Sequence, residues 1–271
     1  MPAPSLLLAS EAALIQPEWL EEWIVLDDDE VLVLNKPGWV VCHPSKNGPW
    51  SSLVGAVKEW RALKRVHLVA RLDRETSGLV VLAKHRLAAR NLQMALEARS
   101  VTKRYLAFLE GVMTDPVTVD EPIGRDPFAE VAVMQMVRPE RRGQSAVTHY
   151  QPLANNGRLT LALVTPHTGR KHQIRVHAAW LGHPVVGDKI YGGHPEAYLE
   201  FIRHGWTGEM SRQLRWPRQA LHAFEVTFNL EDGPRTWQAP LAPDLQDLAK
   251  IEHLPLDLPV SGSVEGRTAD L

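Results

Sequence analysis

A chain of 271 residues, 44% of them hydrophobic, is long enough to bury a substantial core as one large domain or two small ones. Its formal net charge of -2 excludes a simple polycation that coats nucleic acid, and its single cysteine, Cys42, excludes an internal disulfide or a cysteine-rich zinc site. No run of about 18 uncharged apolar residues occurs, and Leu6-Leu7-Leu8-Ala9 stops at Ser10-Glu11 with no basic residue ahead of it. The reading is therefore a soluble cytoplasmic protein with no membrane span.

Residues 1–22 read as an N-terminal extension, either an added helix or a loose arm. Glu11 to Glu30 holds eight acids and no Lys or Arg, whereas Lys58 to Arg104 holds twelve Lys or Arg against four acids. The second stretch suits a phosphate backbone, although solvated helix faces would give the same excess. Val31 to Asn35 is a short apolar run closed by Lys36-Pro37-Gly38, as in a buried strand ending in a turn. Residues 52–65 place Leu53, Ala56, Val57, Trp60 and Leu63 on one side and Lys58, Arg61 and Lys64 on the other, which predicts a helix.

A strand is expected over 79–83, a helix over 87–98 and a strand over 105–109. Further strands are expected over 146–150, 159–164 and 221–228, where β-branched and aromatic residues cluster between turn signals. Residues 170–181, stopped by Gly182-His183-Pro184, read as a helix. No internal repeat is visible. Paired strands with occasional helices imply an α+β fold, with a mixed, mainly antiparallel sheet and flanking helices. One catalytic domain is expected over 23–251, and 252–271, rich in Pro, Ser, Gly and acids, reads as a mobile tail.

The chemistry centres on Arg71-Leu72-Asp73-Arg74-Glu75-Thr76-Ser77-Gly78, a carboxylate between two guanidinium groups on a turn into an apolar strand. Flanking cations hold such a carboxylate ionised, ready to act as nucleophile or base. Taken alone, the stretch reads first as an Asx-type turn that opens a strand, with Thr76 and Ser77 satisfying backbone groups.

The order of motifs resembles the RluA-type RNA pseudouridine synthases. DDEVLVLNKPGWVVCHP, ending at Pro44, resembles the family's first motif, and RLDRETSGL resembles its second, in which the aspartate is catalytic. Lys103-Arg104-Tyr105-Leu106 resembles the segment supplying the active-site tyrosine. TGRKHQIRVH over 168–177, with Gly182-His183-Pro184 and Gly187-Asp188, resembles the third motif, and Leu221-His222-Ala223 the last. The resemblance covers about residues 28–228. Ala70 departs from it, standing where many relatives carry histidine, and fewer than 30 residues precede the first motif, too few for a separate N-terminal RNA-binding domain. RNA recognition is therefore expected to fall mainly to the catalytic domain.

The resemblance implies isomerisation of uridine to pseudouridine in transfer or ribosomal RNA, by a monomer that needs neither cofactor nor metal. It assigns Asp73 as catalytic carboxylate, Arg175 as its ion-pair partner, and Tyr105 as a ring against the uracil or a hydroxyl assisting proton transfer. Asp73 has three routes open: attack on C1′, addition to C6, or removal of a sugar proton to give a glycal. Arg71 is the candidate to fill the gap left by the extruded base. Arg74, Lys103, Arg170 and Lys171 are candidates for phosphate contacts, and Leu221 packs beneath the base or in the core.

Three other chemistries compete. On a helix, His172 and His177 diverge by about 140°, so they do not converge on one zinc ion. Cys42 and His43, adjacent on an extended strand, point to opposite faces and make no nucleophilic dyad. A glycoside hydrolase needs a second carboxylate, and only Glu75 lies near Asp73 in sequence. A non-catalytic RNA-binding protein of the same shape is the closest alternative, against which stand Asp73, Tyr105 and Arg175 together.

Overall fold

The computed structural model describes residues 14–43, 47–138, 143–193, 196–256 and 258. The first half runs α1 (Pro17–Glu22), β1 (Ile24–Asp27), β2 (Val31–Lys36), α2 (Leu53–Trp60), β3 (His67–Leu68), β4 (Ser77–Ala83), α3 (Arg86–Glu97), β5 (Val101–Glu110), β6 (Val117–Asp120), β7 (Ile123–Arg125) and β8 (Gln135–Val137). The second half runs β9 (Val147–Asn155), β10 (Leu159–Pro166), α4 (Gln173–Trp180), α5 (Glu196–His204), α6 (Gly208–Leu214), β11 (Leu221–Leu230), β12 (Gly233–Gln238) and α7 (Pro243–Ile251).

Ten strands form one sheet in the order β1-β2-β4-β11-β5-β10-β9-β6, with β3 on β4 and β12 on β11. Helices cover both faces, so β4 is buried at every residue and β2, β10 and β11 along most of their length. These strands accordingly read as continuous apolar runs rather than alternating ones. On one face α3 packs through Ala88, Leu92 and Ala95, and α4 through Ile174 and Ala178, with Tyr105 touching both clusters. The other face is covered by α1 and α2, through Leu20, Leu53 and Ala56, and by α7, through Leu245 and Leu248. β7 and β8 form a separate ribbon whose Ile123 and Val137 pack against Val176 of α4.

All ladders of the main sheet are antiparallel except β4 with β11, whose register pairs Ser77 with His222 and Gly78 with Ala223. Because these two strands enter the sheet side by side, the turn preceding β4, which carries Asp73, lies beside residues 217–220 preceding β11. The approach is close enough to require glycine. Gly78 has φ +108, and a Cβ there would stand 2.2 Å from the Ala223 carbonyl oxygen.

The expected helix over 52–65 stops at Trp60, because Ala62 takes a left-handed conformation at φ +50, and the Arg61 guanidinium folds over the Trp60 ring at 3.7 Å. The expected helix over 170–181 begins only at Gln173, since residues 168–172 form a fixed loop. Of the N-terminal extension, residues from 14 are described: 17–22 are helical, with Ile15 and Leu20 buried. Of the expected tail, Leu254 is buried and Leu256 and Leu258 pack against the α7 cluster. Residues 1–13, 259–271 and Pro44 of the first motif lie outside the described residues.

Candidate active site

Asp73 sits on a turn closed by the Thr76 amide donating to the Asp73 carbonyl at 3.2 Å. Buried groups from distant segments hold that turn. Lys36 donates to the Arg74 carbonyl at 3.3 Å, and Arg218 donates to the Glu75 carbonyl at 2.9 Å and the Ser77 hydroxyl at 3.1 Å. Gln219 donates to Thr76 through its side chain at 2.5 Å and to the Glu75 carboxylate through its backbone at 3.1 Å, while Lys189 pairs with Glu75 at 2.9 Å. Arg218, almost wholly buried, is itself neutralised by Asp244 of α7 at 2.6 and 2.9 Å. Every buried charge in this shell is therefore hydrogen-bonded. Burial pulls the Lys36 ammonium down to about 8.

The carboxylate itself meets α4. Arg175 donates to Asp73 Oδ2 at 2.8 Å and gives two further nitrogens to Asp188, at 2.6 and 2.8 Å. Asp188 is fully buried and also accepts the backbone N–H groups of Ile190 and Tyr191 at 3.0 and 3.1 Å. Burial opposes ionisation of Asp73, but the Arg175 charge and hydrogen bond outweigh it and hold the carboxyl below its ordinary value. The same balance keeps Asp188 ionised. The Asp73 side chain is 30% exposed, the Arg175 side chain 7%, so the pair presents its carboxylate outward and buries its cation.

Asp73 opens onto a cavity of ≈ 300 Å³ lined also by Arg71, Lys103, Tyr105, Arg170, His172, Arg175 and Leu221. It is the one carboxylate in that lining, among four cations: Arg71, Lys103, Arg170 and Arg175. Glu75 is absent from the lining and is taken up by Lys189 and Gln219, so two carboxylates do not face each other across a sugar-sized gap. The Lys103 ammonium has no hydrogen-bond or ion-pair partner among the described residues, and burial lowers its pKa. Burial, reinforced by the Asp73 charge, raises that of the Tyr105 hydroxyl, which stays protonated.

Seven of the nine residues singled out in the sequence thus meet at one cavity. Leu221 does so while belonging to the core cluster beneath it. Arg74 and Lys171 are not in the lining. Arg74 turns back to donate to the Trp39 carbonyl at 3.4 Å, and Lys171 is exposed on the loop before α4. Gln173 fixes that loop, accepting from the Thr168 hydroxyl at 2.7 Å and the Arg170 amide at 2.9 Å while donating to the Val147 carbonyl at 2.9 Å.

The remaining histidines and the cysteine are placed elsewhere. His177 uses both ring nitrogens, on Thr148 at 2.8 Å and the Glu121 carbonyl at 2.9 Å. Cys42 is buried in the α1–α2 cluster. Among the described residues no three His, Cys, Asp or Glu side chains converge, and no helix is long and apolar enough to cross a membrane. A larger groove of ≈ 460 Å³ lies between α3 and the β11–β12 turn, but its charges are Glu30, Glu231 and Asp232 against Arg235, the wrong sign for a polyanion.

Comparison with known proteins gives a consistent result. The family model described as RNA pseudouridylate synthase matches residues 30–180. The chain is 36% identical over 258 residues to the uncharacterized RNA pseudouridine synthase YhcT of Bacillus subtilis (strain 168), covering 90% of this chain and 76% of that protein. It is 34% identical over 259 residues to ribosomal large subunit pseudouridine synthase D of Escherichia coli (strain K12), covering 89% and 73%. The solved structure of human RNA pseudouridylate synthase domain containing 4 superposes with a TM-score of 0.71 at 26% identity, covering 89% of this chain and 96% of that one.

Proposed function

The chain belongs to the RNA pseudouridylate synthase family and is an RNA pseudouridine synthase, and from that premise we propose that Asp73 is its catalytic carboxylate, with Arg175 as positioning partner and Tyr105 as the wall against the uracil. The observation that carries the assignment is the cavity itself. It offers one ionised carboxylate, set by a buried guanidinium, inside an otherwise cationic lining.

Pseudouridine formation breaks the bond from N1 to C1′, turns the uracil and rejoins it through C5, moving the C5 proton to N1. No atom or electron comes from outside, so the reading includes neither metal nor redox cofactor. Attack on C1′, addition to C6 and proton removal to form a glycal all require Asp73 ionised, which is the state that Arg175 enforces. Tyr105 cannot serve as base while its hydroxyl is held protonated, so its role is to pack on the ring and to donate a hydrogen bond.

Reaching the cavity requires the target base to leave its stack, at a cost of a few kcal/mol. Arg71, exposed at the rim two residues from Asp73, occupies the vacated space or holds the displaced backbone, while Lys103 and Arg170 meet phosphates. Arg74 and Lys171 contribute at longer range, through charge. The catalytic unit includes α1 and the residues after α7 that pack into the core, through Leu20 and Leu254, as well as 23–251, and it acts as a cytoplasmic monomer on structured RNA. Ribosomal RNA of the large subunit is the first substrate to test, given the E. coli relative named for that activity.

Asp73→Asn tests the assignment, because it removes the charge and keeps size and turn-forming capacity. The variant should bind RNA at wild-type affinity or slightly better, and its pseudouridine yield should fall to background. Near-wild-type yield from a folded, RNA-binding variant would sink the role given to Asp73. Pseudouridine mapping in cells with and without the gene identifies the substrate, and new sites confined to transfer RNA would replace the ribosomal reading.

A further inference from the structure

The Asp73 cavity contains a second nitrogen group whose hydrogen is fixed by structure that reaches well outside the site. His172, in a left-handed conformation at φ +57 immediately before α4, lines the cavity with Nε2 at 3.9 Å from Asp73 Oδ2. Its other nitrogen, Nδ1, lies 2.8 Å from the Tyr191 hydroxyl. That hydroxyl accepts the Gln135 backbone N–H of β8 at 2.9 Å.

The direction of the chain follows from counting hydrogens. Tyr191 is buried, and its hydroxyl has one hydrogen to donate. If Nδ1 carried the imidazole hydrogen, the hydroxyl would receive two donors, and its own hydrogen would be buried with no acceptor among the described residues. With the hydroxyl donating to Nδ1, Gln135 N–H, Tyr191 O–H and His172 Nδ1 are all satisfied, and the imidazole hydrogen sits on Nε2. Tyr191 is in turn fixed from below: its N–H binds Asp188, and the Arg175 guanidinium lies over its ring at 5.0 Å.

We propose that His172 is a substrate-contacting, specificity-determining residue whose Nε2–H, held in one tautomer by Tyr191 and Gln135, donates to a carbonyl oxygen of the target uracil beside Asp73. The inference rests on the chain's acting on uridine in this cavity. Burial, with the Arg175 charge next, pulls the imidazole down to about 4, so near neutral pH the ring has a single hydrogen and its placement by Tyr191 determines what the cavity offers. A neutral donor suits a carbonyl, since it adds no second cation to compete with Arg175 for Asp73. Tyr191 acts through His172 and is a positioning residue, and the β7–β8 ribbon belongs to the site by way of Gln135.

The test has a spectroscopic and a kinetic arm. Nitrogen NMR of the imidazole ring in the full-length wild type should show His172 protonated at Nε2 and bare at Nδ1, and Tyr191→Phe should abolish that preference. Nδ1 protonation in the wild type overturns the inference. For turnover, His172→Gln, which restores an N–H near the Nε2 position, should retain most of kcat/KM, whereas His172→Ala should lose about tenfold or more. RNA carrying 2-thio- or 4-thiouridine at the target, a weaker acceptor, should slow the wild type at one of the two positions and have little further effect in His172→Ala. Equal thio effects in both proteins overturn the contact. A wild type that makes no pseudouridine would remove the proposed function while leaving the tautomer measurement standing, so the two failures are distinct.

Discussion

Asp188 grips Arg175 through two nitrogens, at 2.6 and 2.8 Å, and this leaves one nitrogen of the same guanidinium to reach Asp73 at 2.8 Å. Removing Asp188 leaves a buried cation with two of these three hydrogen bonds unmade and Asp73 as its remaining partner. Asp188→Ala is expected to lower stability by about 3–5 kcal/mol, read by denaturant unfolding. Arg175→Lys keeps the charge but cannot span both carboxylates, so it should cut pseudouridine yield more than RNA affinity. An Asp188→Ala protein within 1 kcal/mol of wild type would show that the pair contributes little.

Stability should fall on mild acidification before the carboxylates titrate. Burial lowers both His172 and His222 to about 4, against about 6.5 in the unfolded chain. Between those values the unfolded state binds protons that the native state refuses, so the stabilisation is complete above about pH 6.5 and is lost as pH falls toward 4. Each imidazole contributes a slope of roughly 1.4 kcal/mol per pH unit in that window. Burial lowers His177 as well, so unfolding free energies at pH 7 and pH 5 measure the three rings together, and His222→Gln should flatten the slope by one ring's share. Equal stability at the two values would mean that these rings are not held neutral.

RNA affinity should depend on salt through the cations around the cavity. The slope of log affinity against log salt should fall by roughly 0.7–0.9 for each of Arg71→Ala, Lys103→Ala and Arg170→Ala. Lys171→Ala, outside the lining, should change it less. Binding measured over a salt series decides this, and an unchanged slope in all three variants would remove these residues from the phosphate contacts.

Arg218 ties α7 to the Asp73 turn through Asp244, the Glu75 carbonyl and the Ser77 hydroxyl. Arg218→Met should therefore lower stability by leaving the Glu75 carbonyl and the Ser77 hydroxyl without this donor and Asp244, a third exposed, without its partner. The double variant Arg218→Met, Asp244→Leu should recover part of that loss. No recovery in the double variant would show that the Asp73 turn, rather than the ion pair, accounts for the loss.

Sequence reading succeeds where one local property governs an element. β2, β4, β10 and β11 are apolar runs because both faces are covered, and these runs stand out unaided. β6, β7, β8 and β12 are three to six residues long and mostly half-exposed, so neither length nor alternation marks them. The site divides the same way. Asp73, Tyr105 and Arg175 come from the motif resemblance, whereas Asp188 stands in the Gly187-Asp188 pair with no role that the resemblance implies. Arg218, Gln219 and Tyr191 act through partners up to 144 residues away, and nothing in their own neighbourhoods reveals those partners. An arginine between Pro217 and Gln219 carries one faint signal, a cation just ahead of an apolar strand.

The Asp73 turn also constrains when the enzyme can first act during its own synthesis. Asp73 emerges early, but Arg175, Lys189, Arg218, Gln219 and finally Asp244 must follow before the turn is fully tied down. A nascent chain that has passed residue 180 already contains the whole stretch matched by the family model, yet lacks Lys189, Arg218, Gln219 and Asp244, which hold the turn. A partly translated chain therefore lacks the carboxylate that neutralises Arg218 until Asp244 of α7 has been made.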